Sequence, residues 1–126
     1  MTDMQKIQSF ILEDDTAKEM VKYAESLAIE IAKDVSTSQI RNAYGTVKKL
    51  EMQSSFSDKS LCELLLLKPK LAYARGRSQR KETFKKLEGA LGAAIDAVDV
   101  KQPETFKRFC NFFEAILAYH KAYGGK

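Results

Sequence analysis

The sequence is poor in the residues that build metal centres and disulfide frameworks. It contains one histidine, His120, and two cysteines, Cys62 and Cys110, which lie 48 residues apart inside apolar patterns. Cysteine in such a pattern is usually a small buried hydrophobe, so a disulfide is not expected. Neither cysteine has a second cysteine or a histidine at a spacing of two to four residues, as structural zinc sites require. We therefore expect no metal and no cofactor.

Long apolar runs and strand patterns are also missing. No segment approaches the roughly 18 consecutive apolar residues of a membrane span, and residues 1–10 mix charges instead of forming a secretory apolar core. Alternating apolar and polar segments framed by hairpin dipeptides do not occur. At 126 residues the chain is near the most common domain size. We expect one helical domain over residues 1–126, located in the cytoplasm and not attached to a membrane.

Catalytic motifs are absent as well. The sequence has no glycine-rich phosphate loop, nucleophile elbow or zinc-binding helix motif. His120 falls seven residues after Phe113 and four after Ile116, inside the apolar arc of the last predicted helix. A phosphotransfer role would require an exposed ring, so the pattern predicts a buried structural histidine. We expect no catalysis.

What the sequence does contain is a succession of amphipathic helix patterns, with apolar residues at steps of three and four. Pro69 is expected to kink or restart a helix that begins near Leu61, because proline removes a backbone donor. Each predicted helix start has a candidate capping residue or a proline. The candidates are Asp14, Asp15 or Thr16 with Glu19, Ser36 or Thr37 with Gln39 three residues after Ser36, Ser78, and Pro103. These patterns predict an all-α protein, a compact bundle of about five helices.

The last helix has an apolar arc that covers about half of its circumference. Phenylalanine dominates this arc, which runs from Phe106 through Phe113 to Tyr119. An arc that wide exceeds what one neighbouring helix usually covers. Two interpretations stay open: part of the arc contacts another copy or another subunit, or the helix is central to the bundle.

Positive charge is concentrated in one segment. Residues 68–86 carry eight cations against one acid, Glu82, which gives this segment a net charge of +7. The other 107 residues sum to −3, because the whole chain is +4. Such an uneven distribution attracts a polyanion to one face of a protein, and nucleic acid is the leading candidate.

The cations between residues 68 and 80 are not interleaved with acids at four-residue spacing, so they are predicted to be uncompensated. Arg75 and Arg77 flank Gly76, a predicted turn that would project both guanidinium groups toward phosphates. Tyr73 has two interpretations, a base-stacking platform or a core residue, and the core position is the more common one.

A second basic region lies on the helix predicted to begin near Thr37. Arg41 and Lys48 fall within about 20° of each other, with Lys49 further round, all away from the apolar stripe. Gly45 lies between Arg41 and Lys48. It would let a sugar-phosphate backbone approach closely, or it is a tolerated surface glycine.

The candidate RNA-binding residues are the cations of both regions: Arg41, Lys48, Lys49, Lys68, Lys70, Arg75, Arg77, Arg80 and Lys81. Phosphate contacts carry little sequence information, and no RNA-reading module is recognisable. Binding is therefore expected to be independent of base sequence. The alternative is a helical adaptor that docks an acidic protein partner without binding RNA.

Three stretches of sequence carry a family resemblance: STSQIRNAY at residues 36–44, LKPKLAYARGR at residues 67–77 and FFEAILAYHK at residues 112–121. Together they resemble the small subunit of the type III-A CRISPR effector, the Csm complex. The resemblance extends over roughly residues 17–125.

This resemblance implies a compact, non-catalytic helical subunit, present in several copies beside the guide RNA and the single-stranded target RNA. Its partners would be the other Csm subunits and neighbouring copies of itself, while another subunit cleaves the target RNA. Arg80 and Lys81 lie outside the matching stretches, so their role depends on charge alone. The residues that the resemblance assigns to backbone contacts are Arg41, Lys48, Lys49, Lys68, Lys70, Arg75 and Arg77.

Overall fold

A computed structural model describes residues 2–125 of the chain. These residues form helices and no strand; the β-type pairing among them is one isolated bridge, between Asp99 and Gln102. The all-α prediction is confirmed. The helices, in chain order, are α1 (Asp3–Leu12), α2 (Ala17–Ile31), α3 (Thr37–Glu51), α4 (Asp58–Leu65), α5 (Leu67–Arg77), α6 (Lys81–Asp96) and α7 (Pro103–Ala122).

The described residues thus form seven helices where the sequence predicted about five. Part of the difference is the break at Leu66, which separates α4 from α5. Pro69 is the third residue of α5, where a missing backbone N–H leaves no helical hydrogen bond unmade. The predicted restart is confirmed, and it begins two residues before the proline.

The predicted capping box at Ser36 is confirmed. Gln39 N donates to Ser36 Oγ at 3.2 Å, and Ser36 N donates back to Gln39 Oε1 at 3.0 Å. Pro103 begins α7, and Gly124 follows its end with a φ of 89°, as the sequence predicted. These signals are local in the chain, which is why the sequence alone identifies them.

The predicted start of α2 after Thr16 is confirmed, but the capping hydrogen bonds expected at Thr16 and Ser78 do not form. Thr16 precedes α2 but makes no capping hydrogen bond; its hydroxyl donates instead to Ser9 O at 3.3 Å. Ser78 ends α5, and α6 begins three residues later at Lys81. The Ser78 hydroxyl accepts a hydrogen bond from Arg80 N at 3.0 Å, so it orders the connection between the two helices.

Helix α7 lies at the centre of the bundle and contacts α1, α2, α3 and α6. Its side chains Phe109, Phe112 and Phe113 are fully buried. Tyr44 packs edge-on against Phe113, with ring centroids 5.3 Å apart, and Phe10 lies 5.9 Å from Phe112. The phenylalanine side chains of the wide arc are therefore covered within the chain, which supports the interpretation of α7 as the central helix.

His120 is a buried structural residue, as predicted. Its Nε2 lies 2.6 Å from Val35 O, and because a carbonyl only accepts, Nε2 must donate. Gly125 N donates to His120 O at 2.8 Å, and a Cβ on Gly125 would clash with the imidazole ring. His120 thus ties the end of α7 to the connection between α2 and α3.

Replacing Ser36 with alanine should lower the free energy of unfolding by about 1 kcal/mol, because the cap of α3 loses its acceptor. Ser38→Ala is the matched control, since it makes the same chemical change at an exposed position of the same helix. Urea unfolding followed by circular dichroism measures both variants. Equal losses in the two variants would contradict the importance of the cap.

The two cysteines are free thiols and differ in reactivity. Cys62 is exposed, whereas burial raises the pKa of Cys110 to about 12. At pH 8 only about one in 10⁴ Cys110 groups would be thiolate, the form that reacts. One thiol per native chain should react with Ellman's reagent, and Cys62→Ser should abolish that fast reaction. Two equally fast thiols in the native protein would contradict the buried position of Cys110.

Candidate nucleic-acid interface

The basic residues of α5 divide between two faces of that helix. Lys68 and Arg75 are seven residues apart and fall within about 20° of each other around the helix axis. Lys70, Tyr73 and Arg77 fall within about 60° of one another on a different side. Below, Lys68 and Arg75 are called the paired face, and Lys70, Tyr73 and Arg77 the cleft face.

The paired face attaches α5 to α6. Lys68 Nζ lies 2.8 Å from Asp96 Oδ1, and Arg75 Nη1 lies 3.1 Å from Glu88 Oε1. The second contact is an ion pair without good hydrogen-bond geometry. Because the earlier cation on α5 meets the later acid on α6, the two helices run antiparallel. The charges of Lys68 and Arg75 are therefore compensated.

Two cations after α5 are also paired with acids. Arg80 Nε lies 3.8 Å from Asp34 Oδ1, and Lys86 Nζ lies 3.1 Å from Glu30 Oε2. The prediction that the cations of residues 68–80 stay uncompensated is thus wrong for Lys68, Arg75 and Arg80. Their acids lie elsewhere in the chain, beyond the four-residue spacing that the prediction considered. Exposed pairs of this kind contribute little to stability, but they reduce the local positive charge.

The cleft face keeps its charge. Within residues 2–125, no carboxylate lies at ion-pair distance from Lys70 or Arg77. The same holds for Lys81, whose neighbours across a shallow hollow include Asp34 and Glu82. Lys70 faces a different depression, which has no acidic lining residue. Arg77 lies at the border of both, because it lines this depression and also the hollow that contains Asp34 and Glu82.

This depression is a cleft between α3 and α5 with a volume of about 440 Å³. Leu71 of α5 and Phe84 of α6 contribute buried apolar surface to it. The polar residues along it come from both helices: Gln39 and Asn42 of α3, and Lys70, Tyr73 and Arg77 of α5. The arrangement combines an apolar base with amides, an aromatic ring and two cations along the edges.

Tyr73 is 67% exposed, so the favoured expectation of a core position is wrong. Leu67 and Leu71 take the buried positions of α5, and Tyr73 points to another side. The guanidinium carbon of Arg77 lies 5.7 Å from the centroid of the Tyr73 ring. Arg77 Nη1 is 3.5 Å from Tyr73 Oη, at the outer limit of a hydrogen bond.

Gly76 is helical and not a turn, because α5 continues to Arg77. Arg75 and Arg77 therefore point about 160° apart around the helix axis. Arg75 reaches α6, whereas Arg77 reaches the cleft. The expectation that both guanidinium groups project together toward phosphates is wrong.

The three cations of α3 do not share one face. Lys49 lies seven residues after Asn42, so it is on the side of α3 that borders the cleft. Arg41 and Lys48 lie about 100–120° away from Asn42 on the outer side. Lys48 Nζ donates to Glu51 Oε1 at 3.3 Å, and this hydrogen bond raises the pKa of Lys48.

Gly45 also lies on the outer side of α3 and is exposed. A Cβ at this position would meet no atom within 4 Å. The packing of this chain therefore does not require glycine there.

The nine predicted residues thus separate into four places: Lys70 and Arg77 at the cleft with Lys49 on its α3 side, Arg41 and Lys48 on the outer side of α3, Lys68 and Arg75 against α6, and Arg80 with Lys81 at the connection between α5 and α6. The sequence reasoning missed Asn42, and it assigned Gln39 only to the cap. The three-residue spacing of these two amides would have placed them on one side of α3.

A family sequence model described as Csm2 Type III-A matches residues 14–126. The chain belongs to this family. A Csm2 protein of Streptococcus thermophilus, named as a CRISPR system protein, is 32% identical over 102 residues. This match covers 73% of the present chain and 75% of the relative. No solved structure matches significantly.

The resemblance to the small subunit of the type III-A CRISPR effector is thereby confirmed. The matched region begins after α1 and contains all the residues of the α3–α5 cleft. Among residues 2–125, no helix has both the length and the hydropathy needed to cross a membrane. In the same range, no group of three or more histidine, cysteine, aspartate or glutamate side chains is placed so that it could hold a metal ion.

Proposed function

We propose that this Csm2-family chain binds the backbone of guide or target RNA, without sequence specificity, as a non-catalytic subunit of a type III-A CRISPR-Cas RNA-guided interference complex. The observation that carries the proposal is the cleft face of α5. Two cations without a carboxylate partner in the described chain, Lys70 and Arg77, lie there beside an exposed aromatic ring.

The spacing of the two cations suits a polyanion. Seven residues of helix separate Lys70 from Arg77 by about 10 Å along the axis, so the two side chains reach different phosphates of one strand. Arg77 donates from a planar fork and Lys70 acts as a point charge, and both suit phosphate oxygens. Lys49, on the cleft side of α3, extends the same basic surface.

Independence from base sequence follows from the kind of contact. Contacts to phosphates position a strand but do not distinguish its bases.

An absence of catalysis is supported by the position of the one histidine. His120 is 0% exposed, and its Nε2 is engaged by Val35 O. It has no access to a substrate.

The proposed partners are the guide RNA, the single-stranded target RNA, the other subunits of the Csm complex and neighbouring copies of the chain. Membership of the Csm2 family supports the place in the complex. The aromatic arc of α7 gives no support to contacts between copies, because its phenylalanine side chains are buried within this chain. A cytoplasmic location also stays a prediction.

Replacing Lys70 and Arg77 together with glutamine should weaken the binding of single-stranded RNA. If each cation neutralises one phosphate, the log–log slope of affinity against salt should fall in magnitude by about 1.4. Fluorescence anisotropy across a salt series measures this slope. Unchanged affinity and slope would contradict the proposal.

The matched control replaces Lys68 and Arg75 with glutamine. It removes the same two residue types from the same helix, but these cations are already compensated by Asp96 and Glu88. A smaller loss is expected in this control, and equal losses would point to overall charge instead of the cleft.

Wild-type protein that binds an acidic protein but retains no RNA at physiological salt would support the alternative function, a helical adaptor that does not bind RNA.

A further inference from the structure

We infer that the α3–α5 cleft takes an unpaired nucleotide whose base stacks on Tyr73, so that this site prefers single-stranded RNA to duplex RNA. The inference rests on the proposed function, because it specifies which form of RNA the cleft accepts. It goes further in giving the aromatic ring a role that charge alone does not supply.

The first observation is that the Tyr73 ring is not used by the fold. Tyr73 is 67% exposed, whereas Tyr23 and Tyr44 are half-buried and pack against the core. Tyr123, the other strongly exposed tyrosine, has its hydroxyl bonded to Glu25. Tyr73 contacts Arg77 of its own helix and otherwise presents its ring to the cleft.

The second observation is the position of the ring between the two cations. Lys70 lies three residues before Tyr73, and Arg77 lies four residues after it, so both are about one helical turn away. A nucleotide carries its base and its phosphates at a comparable separation. A base on Tyr73 would therefore leave the adjoining phosphates near Lys70 and Arg77.

The third observation is that Arg77 holds the ring before any ligand binds. Its guanidinium carbon is 5.7 Å from the ring centroid, a cation–π distance, and so one side of the ring is partly covered. The other side is available to a base. A ring that is already held in place loses less conformational freedom when it binds.

The opposite wall of the cleft supplies amides. Asn42 is exposed there, and Gln39 uses its Oε1 for the cap of α3, which leaves its amide N–H groups available. An amide both donates and accepts, so these side chains suit the edge of any base or a 2′-hydroxyl. A volume of about 440 Å³ is within the usual range for small-molecule sites.

Duplex RNA does not fit this arrangement. In an A-form helix the bases are stacked on one another, and proteins contact its phosphates and 2′-hydroxyls instead. A duplex could meet Lys70 and Arg77, but its bases are not free to stack on Tyr73. Preference for a single strand is therefore the property that separates stacking from charge attraction.

The test compares Tyr73→Leu with Tyr73→Phe, using a single-stranded oligonucleotide and a hairpin duplex of equal length. Loss of stacking on one base should weaken single-strand binding by about 5-fold to 150-fold in Tyr73→Leu. Tyr73→Phe keeps the ring and should bind nearly as well as the wild type. Duplex affinity should change by less than about twofold in both variants. Because Tyr73 is exposed, both variants should fold, and thermal melting checks this.

The outcomes separate this inference from the proposed function. If Tyr73→Leu binds single strands normally while the variant lacking Lys70 and Arg77 does not, stacking is overturned and RNA binding stands. Equal losses for single strands and duplexes in Tyr73→Leu would also overturn stacking, because the ring would then only support the cleft. A wild-type protein that binds neither RNA would overturn both proposals.

Discussion

Burial of the aromatic side of α7 is the constraint from which the positions of the other helices follow. Fully burying a phenylalanine contributes about 1.5–3 kcal/mol, and Phe109, Phe112 and Phe113 are all fully buried. With both thiols free, this packing is not reinforced by a disulfide. The contact of Phe113 with Tyr44 fixes α3 beside α7. The hydrogen bond from His120 to Val35 fixes the segment that precedes α3 against the C-terminal end of α7.

Because α3 is held on its α7 side, its Gln39 and Asn42 side is left for α5. Helix α5 is short and buries chiefly Leu67 and Leu71, so it adds little to the apolar core. Two ion pairs with α6 complete its attachment. These ion pairs use the charges of Lys68 and Arg75. The cleft face of α5 is left over, because it is neither part of the apolar core nor paired with α6. The candidate interface therefore follows from how a weakly buried helix is held.

Features set by neighbours in the chain were predictable from the sequence. The capping box at Ser36 and the buried positions of α7 depend on spacings of a few residues, which a helix converts directly into contacts. Ion pairing was not predictable in this way, because the acids that meet Lys68, Arg75 and Arg80 come from distant positions. The exposure of Tyr73 was missed for a related reason: an aromatic residue between alanines resembles a core position until the buried leucines of the same helix are known.

Chemical-shift mapping can locate the RNA-binding surface directly, and it distinguishes the cations at the cleft from those on the outer side of α3. A 14.2 kDa chain labelled with ¹⁵N suits two-dimensional spectra during titration with single-stranded RNA. We expect the largest amide shifts around Asn42, Tyr73 and Arg77, with little change at the outer face of α3. Shifts centred on Arg41 and Lys48, with the cleft unchanged, would contradict it.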